Sequence, residues 1–232
     1  MTHTLLRVLA TAAAVVACAR SDAAPRDSAS KSATAATPVA AKAMRDSITD
    51  LADRGRIMGD PSATLWVIMA SDFQCPFCKT WHDTDFQKIV DKYAKTGKVR
   101  LAFINMPLGM HQHAIKAAEA AMCTAVQNKF WPMHDALFAD QEHWQSMPDP
   151  SSTFEGLARG TGVNLAAWKR CVSEHQTLPL IQADRERISA AGVNSTPTFF
   201  VGDQKLAGAD ANLAVAIDAA LAKATRSKKS GD

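Results

Sequence analysis

The chain of 232 residues has no apolar run near the roughly 18 residues that a membrane-crossing helix requires, so no transmembrane helix is expected. It also lacks a dominant charge. Twenty-six Lys and Arg against 23 Asp and Glu leave a formal net charge of +3, too small to argue for nucleic-acid binding. The basic residues are scattered apart from Lys223, Arg226, Lys228 and Lys229, a C-terminal cluster that reads as a solvated basic tail over 225–232. Cysteine is scarce: five residues cannot build a disulfide scaffold for a chain of this length. No internal repeat is present. Apolar residues are not lacking, and at 47% they exclude wholesale disorder. The length allows one medium domain with appendages, or two small domains.

The N-terminus reads as an export signal over 1–17. Met1 to Arg7 is short and basic, and Val8 to Ala17 is an alanine-rich apolar run too short to span a bilayer. It meets Val15-Val16-Ala17-Cys18, which resembles the lipobox of bacterial lipoproteins. That resemblance implies lipidation at Cys18, and Ala19 after it leans toward outer-membrane sorting. An ordinary secretory signal cleaved near Ala23 or Ala24 is the alternative. Either places the folded part outside the cytoplasm, where disulfides persist. Residues 18–42 hold almost no large apolar side chain and read as a flexible linker.

Apolar spacing predicts a short amphipathic helix over 43–56, and Thr64–Ala70 predicts a strand buried on both faces. A helix should start at Cys75 or Pro76 and stop at Gly97, followed by a strand over Val99–Asn105. Strand, helix, strand predicts a parallel crossover. From about 109 to 191 the pattern turns helical, with helices near 111–128, 132–140, 151–160, 164–173 and 177–191. Pro132 is taken to mark a helix start. Thr198–Val201 and Gln204–Ala207 read as a hairpin, and Asp210–Lys223 as a final helix. The expected fold class is α/β, with a helical block inserted into it.

Cys75-Pro76-Phe77-Cys78 follows a buried strand and opens a helix. At a helix N-terminus, free N–H groups and the helix dipole stabilise a thiolate at Cys75. Cys78, one turn on, can resolve a mixed disulfide. A zinc half-site is the competing reading, but structural zinc takes four N or S ligands and there is no second CxxC. His111-Gln112-His113, with His134 and His143 further on, has no carboxylate or cysteine at ligand spacing, so no metal is expected.

Three stretches carry a family resemblance: Ser71-Asp72-Phe73-Gln74-Cys75-Pro76-Phe77-Cys78, Val193-Asn194-Ser195-Thr196-Pro197-Thr198-Phe199-Phe200-Val201, and the helical segment around Ala117–Ala121 and Phe130–Asp135. Together they resemble the thioredoxin superfamily, in its DsbA-like branch of exported thiol–disulfide oxidoreductases. The resemblance covers roughly 56–223 and implies a domain over 43–224, a central mixed sheet flanked by helices, with the helical insertion at about 109–191. It implies that Cys75 is the nucleophilic, solvent-facing sulfur and Cys78 the buried resolving one. It implies a cis bond at Pro197, with the Thr196 backbone pairing with an extended substrate. Pro76 and Phe77 join that substrate-binding surface, and Phe73 and Phe77 are expected to form an apolar collar. The five tryptophans are expected to be core anchors. Cys123 and Cys171, on apolar helix faces, are two buried thiols or one disulfide. Related helical insertions often carry a disulfide, which favours pairing and a contribution of about 2–4 kcal/mol.

The resemblance further implies no cofactor beyond the Cys75–Cys78 redox pair. The implied partners are unfolded or partly folded exported proteins with cysteines, and a membrane redox partner that recycles the pair. A monomer on the periplasmic side is expected, tethered through Cys18. Phe77 stands where a strong oxidase has His, and Thr196 is a choice also found in isomerases; oxidase is placed slightly ahead of reductase. The reading from another class is a non-catalytic thiol module that holds a soft metal such as Cu(I) or a protein partner.

Overall fold

The computed structural model describes residues 38–229, with side chains from 47 to 226. The export signal, Cys18 and linker residues 18–37 lie outside the described residues. Helix α1 (Pro38–Gly55) starts five residues earlier than the apolar pattern suggests, because the alanines of 39–43 extend it without needing an apolar face. The two-residue strand β1 (Ile57–Met58) is too short to leave a sequence signal. Strands β2 (Leu65–Ser71) and β3 (Val99–Asn105) pair in parallel. The hairpin β4 (Thr198–Val201) and β5 (Gln204–Ala207) adds to β2 through an antiparallel β4. The sheet order is β1-β3-β2-β4-β5. Central strands are covered on both faces, which explains their continuous apolar sequence: Val67, Leu101, Phe103, Phe199 and Val201 are buried on one face, and Ala70, Ile104 and Phe200 pack with Met106 and Ile188 on the other.

From Pro76 to Ala94 the chain is one helical rod with two wide turns. Helix α2 (Pro76–Trp81) passes into a π segment (His82–Phe86), then α3 (Gln87–Ile89) and a second π segment (Val90–Ala94). The junction residues Trp81, Phe86 and Ile89 all keep right-handed helical angles, so the rod is unbroken. Gly97, at φ 71°, ends it.

The helical block lies between β3 and β4 in sequence. It comprises α4 (Ala114–Ala125), α5 (Phe130–Ala139), α6 (Gln141–Trp144), α7 (Ser151–Gly160), α8 (Leu165–Ser173) and α9 (Leu178–Ala190). Helix α5 begins at Phe130, so Pro132 sits within its first turn, where a missing N–H costs nothing. The single turn α6 is shorter than any period could reveal. Helix α4 is buried almost all round, and its alanines let α1, α5, α7, α8 and α9 approach it. The last helix α10 (Leu213–Lys229) runs through most of the stretch expected as a basic tail. Ala, Lys and Arg are good helix formers, and basic residues suit a helix C-terminus. No helix among the described residues is long and apolar enough to cross a membrane.

The approach of α1 to α4 sets one clear steric limit. A Cβ on Gly55 would lie 2.2 Å from the Ala125 carbonyl oxygen, a backbone atom that cannot swing away. Gly55→Ala is expected to cost about 1–3 kcal/mol through forced separation of the helices. Urea unfolding of the two proteins checks this, and an unchanged midpoint would contradict it.

Candidate active site

The site is built at the C-terminal end of β2. Asp72, with its carboxylate fully buried, organises the turn. Its Oδ1 accepts the Gln74 N–H at 2.8 Å, and its Oδ2 accepts the Leu108 N–H at 2.8 Å and meets His111 Nδ1 at 2.7 Å. Its carbonyl accepts the Cys75 N–H at 3.1 Å. Gln74 Oε1 accepts the His113 N–H at 2.7 Å, and Gln141 Nε2 donates to the Phe73 and Cys75 carbonyls at 2.6 and 3.1 Å. The loop before Cys75 is thereby pinned by the β3–α4 connection and by α6. These positioning roles of Asp72, Gln74, His111 and Gln141 were not read from the sequence. A polar run between an apolar strand and a CxxC was the available signal.

Cys75 is the N-cap of α2, with Pro76 in the first helical position. Its Sγ donates to the Thr196 carbonyl at 3.4 Å. The structure corrects the expectation of a solvent-facing sulfur: Cys75 is 3% exposed, because the Ser195–Pro197 turn packs against it. Phe77, 64% exposed, is the side chain the motif presents to solvent. Phe73 is no part of a collar. It is 1% exposed and stacks on Phe103 at 4.9 Å, deep in the core. Trp81, Trp144 and Trp168 are core anchors, whereas Trp66 and Trp131 are half-buried.

Cys75 and Cys78 are both free thiols. Hydrogen bonding from the Cys78 thiol lowers the pKa of Cys75 to about 6, against the opposing effect of burial. The Thr196 hydroxyl and the N–H groups of Cys78 and Phe77 act in the same direction as the Cys78 thiol. Burial pushes the Cys78 thiol well up, reinforced by its neighbour Cys75. One sulfur is thus set to ionise and the other to keep its proton. Thiolate absorbance near 240 nm in the reduced protein is expected to titrate with a midpoint at about 6, and a midpoint near the free-cysteine value of about 8.5 would refute the assignment. Folding lowers this pKa, so ionised Cys75 stabilises the reduced fold fully above the unfolded value of about 8.5. That contribution disappears as pH falls through about 6.

Opposite Cys75, the Thr196–Pro197 bond is cis. The turn is held by Thr198 Oγ1 donating to the Ser195 carbonyl at 2.8 Å, and by the Gly208 N–H donating to the Pro197 carbonyl at 2.9 Å. Cys75, Cys78, Thr196 and Pro197 therefore meet in one place, with Phe77 at its rim. Cys123 and Cys171 lie apart from them in the helical block, joined by a disulfide between α4 and α8. His111 and His113 are spent on Asp72 and on the Met147 carbonyl, the latter at 2.7 Å. His143 is exposed and contacts Asp140. His134 does have a carboxylate partner, contrary to the sequence reading: Asp135 beside it, which His82 also reaches.

Residues 51–219 match the thioredoxin family. Among curated proteins, the chain is 29% identical to a Na(+)/H(+) antiporter NhaA of Salinispora tropica, over 66% of this chain and 22% of that protein. It thus spans about a fifth of the length of the antiporter relatives it matches. It is 28% identical to a probable disulfide bond formation protein D of Bacillus cereus, over 66% of this chain and 77% of the relative. Among solved structures, alpha-DsbA1 of Wolbachia pipientis superimposes with a TM-score of 0.66 at 24% identity, covering 74% of this chain and 93% of the other. With its CxxC at the start of α2, the cis-proline turn opposite and the helical block between β3 and β4, the chain has the fold of the DsbA structure and belongs to the thioredoxin family.

Proposed function

We propose that the chain is a thiol–disulfide oxidoreductase acting on exported proteins through Cys75 and Cys78, with donation of its disulfide as the favoured direction. The observation that carries this is the asymmetry of the pair: a Cys75 thiol lowered to about 6 beside a buried Cys78 pushed well up. In the oxidised enzyme a substrate thiolate attacks Cys75 Sγ. The Cys75–Cys78 bond breaks, and Cys78 leaves with the electron pair and takes a proton. A second substrate thiolate then attacks the substrate sulfur of the mixed disulfide, and Cys75 leaves as a stabilised thiolate. The substrate loses two electrons and two protons; the pair gains both electrons and one proton, on Cys78, and the other proton goes to solvent while Cys75 stays a thiolate.

Thiolate stabilisation favours the reduced enzyme and hence oxidation of substrate. At pH 7 a thiol titrating at about 6 is mostly ionised, which favours the dithiol by about tenfold over an unperturbed pair, or about 30 mV. The Phe77 side chain cannot hydrogen-bond the thiolate, so it adds nothing to what the backbone N–H supplies. Its exposed ring, with the Thr196 backbone beside Cys75, is the surface that meets an extended, partly folded substrate. The N-terminal stretch that reads as an export signal, together with Cys18, supports a lipid tether on the periplasmic side; a monomer recycled by a membrane redox partner belongs to the same proposal.

Equilibration of the pair with glutathione buffers tests the direction. A potential tens of mV above the thioredoxin end of about −270 mV, toward about −120 mV, supports a disulfide donor. A value at or below about −270 mV would make it a reductase. Absence of any redox transition, with stoichiometric retention of Cu(I), would replace the enzyme by a metal-binding thiol module.

A further inference from the structure

Beside the cysteine pair, three metal-ligating side chains from two elements converge. His82 opens the first wide turn after α2, and His134 and Asp135 sit on α5. His82 Nε2 and His134 Nδ1 both meet Asp135 Oδ1, at 3.2 and 2.8 Å. The three ligand atoms lie within 4.8 Å of one another. Both rings are fixed by packing. His82 stacks on Phe86 and Phe138 with centroids at 5.4 and 5.0 Å. His134 is fully buried, edge-on to Phe73, Phe103 and Phe138.

The protons decide what this cluster is. A neutral imidazole carries one N–H. His82 Nδ1 faces Asp83 Oδ1 at 2.9 Å, and Lys79 Nζ holds the other Asp83 oxygen at 2.8 Å. A metal-bound His82 would donate its Nδ1–H to Asp83 and turn its Nε2 lone pair toward the cation. His134 Nε2 is buried with no hydrogen-bond partner, so it can carry the ring proton and leave Nδ1 as the ligand atom. Without a metal, N–H donation from His82 Nε2 and His134 Nδ1 to Asp135 Oδ1 holds the same three atoms together, and a cation would displace those protons.

We propose that His82, His134 and Asp135 bind a borderline divalent cation, Zn2+ being the best match to two imidazoles and one carboxylate. Asp135 is half-exposed, so the fourth tetrahedral position opens to water. Asp83 is the outer carboxylate that orients a metal-bound imidazole through its second nitrogen. The cation would sit one turn beyond the redox motif, since the His82 N–H donates to the Cys78 carbonyl. The site uses neither thiol and stands whether or not the redox reading does.

The test uses the full chain carrying Cys75→Ser and Cys78→Ser, which removes thiol chelation, titrated with Zn2+ against a chromogenic chelator. One equivalent is expected, with an X-ray absorption edge region showing N and O scatterers and no sulfur. Asp83→Asn should weaken binding by about 10–100-fold. His82→Gln and Asp135→Asn, outside the core, should weaken it further while the circular dichroism spectrum stays unchanged. Failure to bind an equivalent would overturn the proposal, as would equal affinity in the His82→Gln and Asp135→Asn proteins. So would an NMR spectrum with His82 as an imidazolium unaffected by Zn2+, which would put a proton where the metal is proposed.

Discussion

Replacing Cys75 with serine is expected to abolish disulfide exchange, with a loss on the order of 10³-fold or more, because the thiolate is the reacting group and a hydroxyl cannot form the mixed disulfide. Cys78→Ala should behave differently. It leaves Cys75 able to take up a substrate or glutathione sulfur but removes the thiol that returns the pair to its internal disulfide. A mixed disulfide at Cys75 should therefore accumulate, visible as a mass increase that reductant reverses. The contrast is what assigns the roles. Cys75 ionises near 6, whereas Cys78 is buried and pushed well up, so the two sulfurs are not interchangeable. The remaining cysteines among the described residues, Cys123 and Cys171, are already bonded to each other and buried. Exchange at the parent rate in both variants would place the chemistry elsewhere, and adduct on Cys123 or Cys171 would say where.

The legible parts of this fold were those with a period or a punctuation mark. Strand β3 and the hairpin strands β4 and β5 fall on Val99–Asn105, Thr198–Val201 and Gln204–Ala207 as their apolar runs and turn predict. Gly97 ends the active-site rod where its position suggests, but the two π turns inside that rod leave the apolar spacing readable as ordinary helix. Burial was harder to read at the site itself. Phe73 and Phe77 flank the same cysteine, yet one stacks on Phe103 and the other points to solvent. Phe73 lies in the loop that Asp72 and Gln141 tie to distant elements, whereas Phe77 lies in the first turn of α2. His82 and His134 are separated by half the helical rod, β3 and α4, so no local spacing could join them.

Asp184→Ala is expected to cost about 3–5 kcal/mol of folding stability, the penalty for leaving a buried charge without its partner. Asp184 lies on α9 with its carboxylate fully buried. It accepts from the two terminal nitrogens of Arg56, which is 2% exposed just past α1. It also accepts the Asn105 N–H and Nδ2 at 3.2 and 2.9 Å. One carboxylate thereby ties α1, the end of β3 and the last helix of the insertion together. Alanine would leave the Arg56 guanidinium and two Asn105 donors inside the protein without that acceptor. Asp53 also contacts Arg56, but its carboxylate is half-exposed, and Asp53→Ala should cost about 1 kcal/mol or less. Thermal melts of the oxidised proteins should separate the two, with a fall of about 6–20 °C for Asp184→Ala against at most about 4 °C for Asp53→Ala. Equal losses would mean that water reaches Arg56 once Asp184 is gone, and that the network does not lock the helical block to the sheet. If the larger loss is found, the same variant should expose the active-site loop to faster hydrogen exchange. Asn105 is followed by Met106, whose N–H donates to the Ser71 carbonyl beside Asp72, so loosening β3 at its end loosens the turn that holds Cys75.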